Sequence, residues 1–124
     1  MINLYVAWLS MLLGGVSGAL TGLFFYNNDF LGGYTSWRRR MVRLGHIAFF
    51  GIGLINLAFA LSIKAFEITE TPQIPSLLLI VAAVTMPLTC YLSAIKPFFR
   101  HFFFIPASSV IFALIIFSWR IFQS

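Results

Sequence analysis

Residues 76–95, Ser-Leu-Leu-Leu-Ile-Val-Ala-Ala-Val-Thr-Met-Pro-Leu-Thr-Cys-Tyr-Leu-Ser-Ala-Ile, contain no charged side chain and no evident helix end. At about 1.5 Å of rise per residue, a helix of that length crosses about 30 Å of hydrocarbon. Three further segments read the same way. Spans are expected over residues 3–26, 41–63, 76–95 and 105–122. Backbone polar groups cannot be left open in lipid, so each span must be a helix.

Composition agrees. The chain is 60% hydrophobic and only 9% charged, against roughly a quarter charged in a soluble domain. The polar residues are too few to cover a water-facing surface. The net charge of +5 would suggest nucleic acid in a soluble protein; here it is explained by loop arginines, and no nucleic-acid partner is expected. Cys90 is the only cysteine, so no internal disulfide can form. Met1-Ile2-Asn3-Leu4 lacks the basic start of a cleaved signal peptide, so the first segment is expected to remain as a span.

The connections carry the charge. The first contains Asn27, Asn28, Asp29, Gly32 and Gly33 and leads into Arg38, Arg39, Arg40 and Arg43. The second contains Glu67 and Glu70; the third contains Lys96, Arg100 and His101. Basic residues thus gather in connections one and three, which share a side in an even-spanning chain. The positive-inside bias puts that side in the cytoplasm. The expected fold is a single all-α integral membrane domain over residues 1–124. It is a four-transmembrane-helix antiparallel up-down bundle, with both termini non-cytoplasmic, in the cell's inner (plasma) membrane.

Hydrophobic burial does not drive helices together in lipid; close backbone approach and interhelical hydrogen bonds must. Gly14, Gly18 and Gly22 recur every fourth residue and form a candidate packing ridge. Asn56 on span two, with Thr85 and Thr89 on span three, are candidate interhelical hydrogen-bonding residues. Pro87 should bend span three. The run Arg38, Arg39, Arg40 and Arg43 is a candidate contact for lipid head groups or an acidic partner.

No carboxylate lies within a span, and no nucleophile–histidine–acid pattern, phosphate-binding glycine loop or metal-spaced cluster is present. No catalytic activity of the chain's own is expected. His46 stands apart. It sits about 7–8 Å inside the expected span boundary, with Gly45 before it and Gly53 two turns on. It can be read as an imidazole bonded to a neighbouring helix. It can also be read as an axial ligand of haem b or chlorophyll with the glycines leaving room for the macrocycle, or as a quinone contact. His101 is the candidate second ligand, and Arg100 a partner for a haem propionate or a lipid phosphate.

Three functions fit this sequence. The leading one is a small subunit of a larger membrane complex, respiratory or photosynthetic, with a structural or assembly role beside other transmembrane subunits and lipid. The second is a cofactor-binding membrane protein built on His46. The third is a small transporter or channel lined by the threonine stripe.

Overall fold

The computed structural model describes residues 1–124 and is all-helical. Its long helices are α1 (Ile2–Gly22), α2 (Trp37–Ala65), α3 (Gln73–Ile95) and α4 (Phe104–Gln123), with 3-10 turns at Phe30–Gly32 and Pro97–Phe102. All four spans are long and apolar enough to cross a membrane, the last reckoned from Pro97 to Gln123. The chain is an integral membrane protein by these physical criteria.

Helix ends follow local chemistry. The Ser36 side chain accepts the Arg39 backbone N–H at 3.2 Å and starts α2 four residues before the expected span. At 29 residues α2 is about 44 Å long, so its arginine-bearing first turns can project beyond the hydrocarbon. Pro75 and Pro106 lie in the first turns of α3 and α4, where a missing N–H breaks no helical bond. α1 ends at Gly22 rather than Tyr26, and the chain turns immediately afterwards.

The end of α2 is strained. Glu67 adopts a left-handed φ of 52°, while the Ile68 N–H reaches back to the Ile63 carbonyl at 2.9 Å. That pairing closes the helix in the manner that normally recruits glycine. Ile68 meanwhile packs on the cluster containing Ile63.

The helices pack in sequence order. α1 lies along α2, α2 along α3, and α3 along α4; α1 touches α3 lightly, and α1 and α4 make no close contact. Phe59, Ile63, Leu79, Ala113 and Phe117 form one buried cluster that joins α2, α3 and α4. Within it the Phe59 and Phe117 rings meet edge to face at 4.7 Å. A second cluster at the opposite end combines Met41, Val42 and Ala94 with Trp37, Tyr91 and Phe103. Most large apolar side chains, including Leu12, Leu20, Ile47, Leu54, Val84 and Ile115, remain exposed. Such a surface suits lipid or another protein, not water.

Candidate functional site

Three polar side chains meet where α1 and α3 begin. Asn3, Asn56 and Ser76 are 0%, 0% and 4% exposed. The Asn3 amide donates to Asn56 Oδ1 at 2.8 Å and to the Ser76 carbonyl at 3.2 Å. The Ser76 hydroxyl donates to Asn3 Oδ1. The Asn56 amide donates to the carbonyls of Ile52 at 3.0 Å and Leu79 at 3.2 Å. Every donor on the three side chains is therefore used, and the network ties α1, α2 and α3 together without water.

Thr85 and Thr89 behave differently. Their hydroxyls donate to Val81 and Thr85 carbonyls of their own helix, at 2.7 and 2.6 Å. Neither spends its hydroxyl on a neighbouring helix. None of the five main grooves is lined by Asn56, Thr85 or Thr89.

The glycine ridge divides. A Cβ on Gly14 would meet Phe50 at 2.8 Å and Phe49 at 3.1 Å. One on Gly18 would meet His46 Nδ1 at 2.6 Å. Nothing approaches Gly22. Gly14 and Gly18 thus admit α2 side chains against the α1 backbone, and Gly22 lies outside that contact.

His46 fills this gap. Its Nδ1 lies 2.7 Å from the Gly14 carbonyl. A carbonyl only accepts, so Nδ1 carries the proton and donates. The Phe50 ring stands edge-on to the imidazole at 5.4 Å.

The residues expected to surround a tetrapyrrole do not fit one. The space above Gly45 is taken by the Tyr91 ring, 2.8 Å from where a Cβ would sit. The space above Gly53 is taken by α1, with the Ala7 carbonyl and Met11 both at 3.1 Å. His101 and Arg100 lie exposed in the second 3-10 turn, where His101 packs on Phe98 at 5.9 Å. No group of three or more His, Cys, Asp or Glu side chains converges.

The four arginines have different fates. Arg38 and Arg40 are exposed, and Arg43 lies over the Tyr34 ring at 4.2 Å while donating to the Tyr34 carbonyl at 3.3 Å. Arg39 is only 4% exposed. It donates to the Phe25 carbonyl at 2.7 Å and sits over the Phe25 ring at 4.4 Å, fastening the end of α1 to the start of α2. Its Nε has no partner, and neither do the buried Tyr91 hydroxyl and Ser93 Oγ.

The expected site lacked Asn3, Ser76, Trp37 and Tyr91. Trp37 donates from Nε1 to the Ser93 carbonyl at 2.8 Å and links α2 to α3. A lone polar residue at the start of spans one and three was the available signal for Asn3 and Ser76. The Asn56 partnership spans 53 positions in sequence and leaves no local trace. No family model, curated protein or solved structure matches this chain.

Proposed function

We propose that this chain is a small multi-pass subunit that packs laterally into a larger membrane assembly and serves a structural role there. The observation that carries this reading is the open packing: α1 and α4 do not meet. A self-sufficient four-helix bundle would close that edge. Here the helices leave two apolar grooves instead. One, of about 380 Å³, runs between α1 and α3 over Phe49; the other, of about 270 Å³, is bordered by Phe59, Ala113 and Phe117 of α2 and α4. Complementary transmembrane helices fit such faces by van der Waals packing.

The finer topology belongs to this proposal. The Trp37–Ser93 and Asn3–Asn56–Ser76 bonds support an antiparallel, up-down course. Arg38, Arg40, Arg43, Lys96 and Arg100 then crowd one end, which the positive-inside bias assigns to the cytoplasmic face of the plasma membrane. Both termini and the Glu67–Glu70 connection lie outside. The exposed arginines contact anionic lipid head groups. Electron transfer finds no support in the geometry of His46 and His101.

Extraction of the chain from its native membrane into polymer-bounded nanodiscs tests the role. We expect a defined species well above the 14.0 kDa of one chain, containing at least one other membrane protein in fixed ratio. Recovery as a lone chain with only lipid around it would refute the proposal.

A further inference from the structure

We propose that the groove between α1 and α3 seats one transmembrane helix of a partner chain, and that this helix carries an amide side chain, asparagine or glutamine, at mid-membrane depth. The proposal rests on the subunit role and adds the chemistry of one partner.

Ser10 is the residue that asks for such a partner. It lines the groove and is only 6% exposed. Its Cβ is held against α2, where a Cβ on Gly53 would meet it at 3.2 Å. Other hydroxyls of the spans turn back on their own helices: Thr85, Thr89, Ser108 and Ser109 each donate to a carbonyl four residues earlier. The Ser10 hydroxyl bonds to nothing in the chain, and it is not among the sealed polar atoms. It is open to the groove and has no partner there.

The α3 wall brings a second polar group. Pro87 has no N–H to give to the Ala83 carbonyl one turn earlier. Ala83 and Pro87 both border the groove. The walls thus carry a hydroxyl on α1 and, on α3, a carbonyl short of its helical donor. An amide side chain has an acceptor for the first and a donor for the second.

Depth decides what can supply it. Ser10 lies about 3 Å along the axis from the midpoint of α1, and Ala83 and Val84 are at the middle of α3. Lipid head groups are then about 15 Å away, half the hydrocarbon thickness. Acyl chains at that level bring no polar atom, whereas a side chain on another helix does. Shape agrees. The walls run from Val6 to Leu13 on α1 and from Ile80 to Tyr91 on α3, with Phe49 of α2 as the floor. This trough is about two to three helical turns long, and its volume of about 380 Å³ accommodates side chains from one helix face.

The test uses the full chain in lipid vesicles, with energy transfer to dilute transmembrane peptides of about 21 leucines and alanines between lysine ends. One peptide has asparagine at its centre, a second has leucine there, and a third has the asparagine two turns off centre. We expect the central-asparagine peptide to bind about threefold to tenfold tighter than the other two, the effect of an interhelical hydrogen bond in lipid. Ser10→Ala, which keeps the Cβ that packs on Gly53, should erase that preference and leave the leucine peptide unaffected. Leu13→Trp, which fills the groove, should weaken all three. Ser62→Ala, on the other groove, should change nothing. Equal affinity for the asparagine and leucine peptides, a preference that survives Ser10→Ala, or binding untouched by Leu13→Trp would each overturn the proposal. The subunit role would survive any of these results, because the nanodisc extraction tests it separately.

Discussion

The two ends of this molecule treat buried polar groups in opposite ways. At the Asn3 end, Asn3, Asn56 and Ser76 use every side-chain donor they have. At the arginine end, Arg39 Nε, the Tyr91 hydroxyl and Ser93 Oγ are buried with no partner. In lipid an unmet polar group is costly because no water relieves it. Complete satisfaction therefore marks the Asn3 end as the clasp that holds α1, α2 and α3. The arginine end is held by other means: cation–π contact, the Trp37 bond to Ser93, and apolar packing around Met41.

Removing the clasp should have the largest effect. Asn56→Ala deletes three hydrogen bonds and leaves the Asn3 donor searching; a loss of about 2–3 kcal/mol is expected in reversible unfolding in bicelles. An unchanged midpoint would dissolve the contrast between the ends. Gly18→Ala should follow, at about 1–3 kcal/mol, because its methyl group would occupy the place of the His46 ring. The same measurement checks it, and loss of the His46–Gly14 bond should appear as a shifted His46 Nδ1 resonance.

Serine-to-alanine changes sharpen the comparison, since identical chemistry should act with opposite sign. Ser76→Ala should destabilise by about 1 kcal/mol, whereas Ser93→Ala should be neutral or stabilising by up to about 1 kcal/mol. Tyr91→Phe should behave like Ser93→Ala. Equal losses at both ends would mean that the unpaired groups find partners in the membrane. The smallest effect concerns the acidic connection. Glu67→Gly should raise stability by about 0.5–1 kcal/mol by relieving the left-handed φ of 52°.

Four spans were legible because lipid demands long uninterrupted apolar runs, and those survive any detail of packing. Helix starts were less so: α2, capped by Ser36, begins at Trp37, four residues before the expected span at Met41. Asn56 could be picked out by its position on a helical face. Its bond to Asn3, 53 positions away, could not, nor could the pairing of Asn3 with Ser76 across 73 positions. The four arginines look alike in a string of letters; only tertiary contact separates buried Arg39 from exposed Arg38 and Arg40. The repeat of Gly14, Gly18 and Gly22 was visible, but whether a neighbour approaches each glycine depends on where α2 crosses. Gly45 and Gly53 look like free space in sequence, and only the folded chain shows Tyr91 and α1 against them.

The most direct test of the central claim is sidedness. Single cysteines replace Thr35, beside the arginines, and Thr69, between the two glutamates, with Cys90→Ala removing the native thiol. Both threonines are exposed. In intact cells a membrane-impermeant maleimide should label position 69 at once and position 35 only after permeabilisation. Labelling of both from the same side would contradict the four-span arrangement and, with it, the placement of the clasp and of His46.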